Sequence, residues 1–145
     1  MTISRSDPDA ANVIRIVAAL AMDEEGRTLL VRKRGTAAFM QPGGKLIDGE
    51  SPLVALAREI REELGCGVEA GSGRMLGTFS APAVNEPGST VQAQLFAVTL
   101  AGKARAQAEI EEAIWVDPVA LDGLTLAPLT QTHVMPLARA LKALP

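Results

Sequence analysis

The sequence predicts an α/β (α+β) domain in which a mixed β-sheet is flanked by helices. Three observations lead there. Short runs rich in apolar and β-branched residues recur along the chain. One well-capped amphipathic helix stands among them, at residues 51–64. A second helical stretch, 129–144, closes the chain.

In order, residues 1–11 are polar, with Asp7, Pro8 and Asp9, and are expected to form a flexible leader before a single domain at 12–145. Residues 13–22 read as a buried strand. Asp23, Glu24, Glu25 and Gly26 make a turn, and 28–32 then read as a second strand, giving a hairpin. A short strand is expected at 39–41, stopped by Pro42, Gly43 and Gly44. Ser51 is a good N-cap, Pro52 suits the first helical position, and Gly65 suits the C-terminal cap. Leu53, Leu56, Ala57, Ile60 and Leu64 recur at helical spacing and form an apolar face. Strands are expected at 74–81 and 90–100, joined by a turn at 85–88, and at 112–116. Pro136 is expected to break or kink the last helix.

Composition narrows the function. The chain has 145 residues, 48% of them hydrophobic, and a net charge of −3. This is a folded domain, and it lacks the basic surface of a dedicated nucleic-acid binder. Cys66 is the lone cysteine, which excludes an internal disulfide and a cysteine-built zinc site. A reducing compartment follows, and with no apolar run long enough to span a bilayer and no signal-peptide pattern, a soluble cytoplasmic protein is expected.

The helix also carries charge. Glu59, Glu62 and Glu63 stand at i, i+3 and i+4 and share one stripe, about 120° around the helix from the centre of the apolar face. Their mutual repulsion, about 0.2–0.5 kcal/mol per neighbouring pair, would be relieved by a cation. Oxygen-only ligands favour a hard ion such as Mg²⁺ or Mn²⁺. A merely solvated acidic face is the other reading of the trio taken alone.

The flanking residues change the balance. Gly44, Glu50, Arg58, Glu59, Glu62, Glu63 and Gly65 stand at the spacing of the Nudix box: Gly, five residues, Glu, seven residues, then Arg-Glu-U-x-Glu-Glu-x-Gly-U, where U is bulky and aliphatic. All seven fixed positions match, a coincidence of order 10⁻⁸ per register at average residue usage. Ile60 fills the first U; Cys66, at the last, departs from the pattern and is expected to act as a small buried hydrophobe. The chain resembles the Nudix hydrolases, and more particularly MutT-like members, through Pro42-Gly43-Gly44 and the later acidic strand ending in Trp115-Val116.

The resemblance implies an α/β/α sandwich with a loop–helix–loop box, and metal-assisted hydrolysis of a phosphate anhydride. It implies Glu59, Glu62 and Glu63 as the metal-binding core, with Glu59 or Glu62 also taking a proton from water. Arg58 is expected to pair with a glutamate and fix its rotamer. Glu50 is expected at the metal directly or through water, and Gly44 through its carbonyl. A further acidic ligand is sought among Glu109, Glu111 and Glu112; Glu109, six residues before Trp115, is favoured over a purely solvated loop. Arg32, Arg34 and Lys45 are candidates for substrate phosphates, a solvated basic strand end being the alternative for the two arginines. Phe39, Met40 and Gln94 are candidates for a base pocket. His133 is expected on the surface or in helix packing.

A nucleoside triphosphate, oxidised nucleotides included, ranks first as substrate, giving the monophosphate and pyrophosphate. ADP-ribose or a similar nucleotide sugar ranks second, on Pro82, which stands where a proline marks such hydrolases. A nucleotide-sensing module without catalysis, or a purely structural Glu-rich helix, are the readings from other classes. The expected partner is a small nucleotide, not nucleic acid or membrane, bound by a monomer or homodimer.

Overall fold

The computed structural model describes residues 12–84 and 86–144. The expected leader lies outside the described residues. Strand β1 spans Val13–Ala21, β2 Thr28–Lys33 and β3 Gly43–Lys45. Helix α1 spans Pro52–Leu64. Strands β4 to β8 come next, at Gly67–Val68, Arg74–Pro82, Thr90–Val98, Leu100–Ala101 and Ile110–Val116. A π-helical turn at Thr130–Val134 leads into α2, Met135–Lys142.

The main sheet has the order β3-β1-β6-β5. Strands β1 and β6 are parallel, while β3 and β5 pair antiparallel with their neighbours, so the sheet is mixed. Its two faces are both covered. On one side Val17, Ala19 and Ala21 pack with Ala55, Leu56, Ile60 and Leu64 of α1. On the other Ala18 and Leu20 pack with Val134, Met135 and Ala138. Burial on both faces accounts for the unbroken apolar run in β1, where a half-buried strand would alternate. The same division splits β2, with Leu29 and Val31 toward α1 and Leu30 toward α2. The fold is the expected α/β/α sandwich.

The expected β1–β2 hairpin is not formed. A turn does join them: Asp23 Oδ1 accepts from the amides of Glu25 and Arg27, and Met22 bridges Thr28. Beyond it the strands separate, because both edges of β1 are already taken by β3 and β6. Strand β2 pairs with β8 instead, from Thr28–Val116 to Lys33–Ile110. The short strand expected at 39–41 reduces to single bridges, Met40 with Val31 and Phe39 with Leu126.

Both ends of α1 match the sequence expectation. Ser51 Oγ accepts from Val54 N–H, and Gly65 adopts φ 66°. The apolar face is shifted, however. Ala55 is buried, Ala57 is only half-buried, and Leu53 lies outside the core, over Gly73. The closing helix is divided: Met135 N–H bonds Thr130 O, one residue further back than in an α-helix. The widened turn precedes Pro136, which has no N–H and whose ring would crowd a regular preceding turn.

Candidate functional site

The box folds as a loop, a helix and a loop. Helix α1 projects its glutamates beneath the β3 backbone, and one cavity of about 490 Å³ opens there. Glu59, Glu62, Glu63, Gly44 and Lys45 line it. So do Glu109 and Lys33, contributed from elsewhere in the chain, and Ile14, Ile16, Met40, Gln41, Val84 and Val91.

The three helix glutamates differ sharply in setting. Glu62 is exposed and Glu59 half-buried. Glu63 is 4% exposed, so the acidic stripe does not face water throughout. The turn before β3 closes over Glu63, and its Oε1 accepts from Gly43 N–H at 3.3 Å. Burial pushes the Glu63 carboxyl up to about 8, with Glu59 and Glu109 adding to the rise and the Gly43 amide and Lys33 opposing it. Glu63 makes no ion pair among the described residues.

Arg58 ties two glutamates together. Its Nε and Nη2 donate to Glu50 at 2.9 Å each, and Nη1 donates to Glu59 Oε2 at 2.7 Å. The fork fits one carboxylate and leaves an N–H for the second. It holds the Glu50 carboxyl below the usual range. Gly44 lies directly over Glu59, and a Cβ there would overlap the Glu59 carboxylate. Glycine at this position lets backbone and carboxylate approach.

Glu109 reaches the cavity because its loop is docked on the end of α1. The last carbonyls of a helix need outside partners. Here Gln107 Nε2 donates to Arg61 O and Glu62 O, both at 3.0 Å. Gln107 N–H bonds Glu63 O and Arg105 N–H bonds Leu64 O. Ala108 then takes φ 54°, rare outside glycine, and turns the chain. Arg34 pins this turn: its N–H bonds Glu109 O and its Nη2 bonds Ala108 O. Lys33 Nζ lies 3.5 Å from Glu109 Oε1.

Several expected residues lie away from the cavity. Glu50 is drawn to Arg58. Arg32 is held by Glu112 at 2.7 Å and by Thr36 O, with its guanidinium over the Phe39 ring. Phe39 is a core residue of the α2 side. Arg34 pairs with Glu111. Gln94 sits in the middle of the sheet, between Val17 of β1 and Thr78 of β5. His133 packs on Phe79 with ring centroids 5.0 Å apart, and Cys66 is buried. Sequence reasoning missed Lys33, Gln41 and Gln107, and the segment after Pro82 that supplies Ala83, Val84 and Glu86 to the cavity wall. A glutamine just beyond a glycine-capped helix carries no local signal of the carbonyls it will meet.

The sandwich and the carboxylate-bearing helix define the class: an α/β/α hydrolase-type domain whose site is built on one loop–helix–loop. Compared with known proteins, the chain matches the NUDIX domain family over residues 13–138. It belongs to the Nudix hydrolase family, enzymes of the pyrophosphohydrolase class. Over 51 residues it is 41% identical to an RNA pyrophosphohydrolase of Halorhodospira halophila (strain DSM 244 / SL1), a match covering 35% of this chain and 28% of that protein. Its fold is similar to the solution structure of the E. coli ORF135 protein, with 28% identity, a TM-score of 0.71, and 91% and 92% of the two chains covered. It is likewise similar to a NUDIX hydrolase from Nitrosomonas europaea, with 26% identity, a TM-score of 0.70 and the same coverage. No helix among the described residues is long and apolar enough to cross a membrane.

Proposed function

We propose that this chain hydrolyses a phosphoanhydride bond in a nucleoside diphosphate linked to a further group, using Mg²⁺ or Mn²⁺. One observation carries the reading. A single cavity combines five carboxylates, from Glu59, Glu62, Glu63, Glu86 and Glu109, with two lysines and an aliphatic lining. That mixture suits an ion, a polyphosphate and a nucleoside together.

The donors fit a hard divalent cation. They are all oxygens, and the nearly buried Glu63 has no cationic partner among the described residues, an arrangement that is costly unless positive charge comes close. The carboxylates are spread along the wall, and among the described residues no three gather into a ready cage. Glu62 and Glu109 are exposed and free to turn inward. Glu59, Glu62, Glu63 and the Gly44 carbonyl would hold the ion, with Glu109 and Glu50 joining directly or through water. The bound ion would neutralise phosphate charge, polarise the scissile phosphorus and ease deprotonation of water.

The chain's own groups do the rest. Arg58 keeps Glu59 in one rotamer. Glu59 or Glu62 accepts a proton from water as the water oxygen bonds to phosphorus. The anhydride P–O bond breaks, and its electron pair leaves with the departing phosphate. Lys33 and Lys45 offset charge on the phosphates, and Ile14, Ile16, Met40 and Val91 receive the nucleoside.

A nucleoside triphosphate, cut to the monophosphate and pyrophosphate, ranks first, supported by the MutT-like run from Phe39 to Lys45. A nucleotide sugar such as ADP-ribose is favoured by one feature: Pro82 ends β5, and Ala83, Val84 and Glu86 just after it line the cavity. The deciding experiment incubates the folded protein with a nucleotide panel and Mg²⁺ or Mn²⁺ and identifies the products. Turnover of at least one diphosphate compound is expected, and Glu62→Gln should lower it about 100-fold or more. No turnover on any compound would sink the proposal.

A further inference from the structure

Gln41 is 6% exposed, yet it lines the cavity. Its Oε1 accepts from the hydroxyl of Thr130 at 2.6 Å. Thr130 is fully buried on the π-helical turn. With the hydroxyl as donor, the carboxamide oxygen is the acceptor. The oxygen is taken, and Nε2, a donor of two N–H groups, has no partner among the described residues. A buried donor left unpaired costs about 1–3 kcal/mol, and folded proteins seldom keep one without cause. A clasp between the loop before β3 and the turn before α2 would need only the Thr130 bond. It would leave the second polar group of the carboxamide without a task in the wall of the cavity, where Gln41 is a lining residue.

We propose that Gln41 is a specificity-determining residue: its N–H donates to a hydrogen-bond acceptor on the substrate, and Thr130 is the positioning residue that presents that donor. The inference rests on the cavity being a nucleotide site, and it deepens that reading. All three parts of a nucleotide carry such acceptors: a nucleobase carbonyl or ring nitrogen, a ribose oxygen and a phosphate oxygen. A site that hydrogen-bonds its ligand with a buried group rejects ligands lacking the partner, because the group is then stranded. Gln41 gives a pocket lined by charged and aliphatic groups, with no aromatic ring among its lining residues, an uncharged polar means of discrimination.

The test is calorimetric binding of non-hydrolysable α,β-methylene analogues of ATP, GTP, CTP and UTP, and of inorganic triphosphate, in Mg²⁺. The double variant Gln41→Met with Thr130→Val removes both partners, keeps the volume and makes the pair apolar. Its ligand-free melting temperature should hold or rise, while affinity falls about three- to tenfold, the worth of one hydrogen bond. Gln41→Glu keeps an oxygen for Thr130 and removes both N–H donors, and should weaken binding at least as much. A loss confined to some bases assigns the acceptor to the nucleobase. An equal loss on all four, and on inorganic triphosphate, assigns it to a phosphate. A loss equal on all four nucleotides but absent on inorganic triphosphate assigns it to the ribose. Unchanged affinity in Gln41→Glu, or no binding of any analogue by the unmodified protein, overturns the proposal. Tight analogue binding without turnover of hydrolysable nucleotides would instead sink the hydrolase reading and leave the role of Gln41 standing.

Discussion

Glu63 makes the stability of the metal-free protein depend on pH in a direction opposite to that of most carboxylates. The residue is 4% exposed, and burial lifts its carboxyl from 4.5 to about 8. Below pH 4.5 the folded and unfolded chains both carry the proton, and nothing is lost. Between 4.5 and 8 the unfolded chain releases it while the folded chain keeps it, so stability falls as pH rises through that window and levels off above it. At 1.36 kcal/mol per tenfold change the full effect is roughly 5 kcal/mol, and relaxation of the cavity wall brings the expected value to about 2–5 kcal/mol. Glu63→Gln isolates this contribution, because the amide keeps an oxygen for Gly43 N–H and never ionises. Urea unfolding with a chelator present, followed through the single tryptophan, Trp115, should give variant and parent similar stabilities at pH 4.5 or below. At pH 9 the variant should be the more stable by about 2–5 kcal/mol. A gap that does not change between the two pH values, or a variant less stable at pH 9, would refute the reasoning.

Other perturbations probe the same geometry. Arg58→Lys cannot span Glu50 and Glu59 with a planar fork, and should lower kcat about tenfold or more with little change in melting temperature, measured side by side. Gly44→Ala drives a methyl into the Glu59 carboxylate, so turnover should collapse while circular dichroism stays native. Gln107→Ala removes two exposed hydrogen bonds to the end of α1, although Arg61 O keeps its bond from Gly65 N–H, and should cost about 1 kcal/mol of stability. If Gln107 acts on catalysis by placing Glu109, the losses in kcat/KM from Gln107→Ala and Glu109→Ala should not add, which a double-mutant cycle reads directly.

Helix α1 and its box were legible in the sequence because their information is local. The Ser51 cap, Pro52, the apolar spacing and the glutamates all lie within one continuous stretch, and periodicity alone places the charged groups together. The pairing of β2 with β8 was not legible, since an apolar run does not say which edge it will meet. For the same reason Arg32 and Phe39 read as substrate contacts. They became a packed pair in the wall of the sandwich once β8 brought Glu112 beside β2. Leu53 matched the helical period and still lay outside the core, against Gly73. Lys33, Gln41 and Gln107 each acquire meaning only from residues distant in the chain. None belongs to a motif.

The parallel pairing of β1 with β6 joins Val13 to Thr90 and Ala21 to Val98, with the whole box in the intervening chain. The segment that contributes most of the carboxylates cannot close its own cavity. During synthesis one edge of β1 stays unpaired until β6 emerges, and Glu109 and the Gln107 clamp arrive later still. Non-local pairing of this kind slows folding. Completion of the cavity therefore reports completion of nearly the entire domain, and a ribosome-bound chain ending before β6 would carry the motif without the cavity.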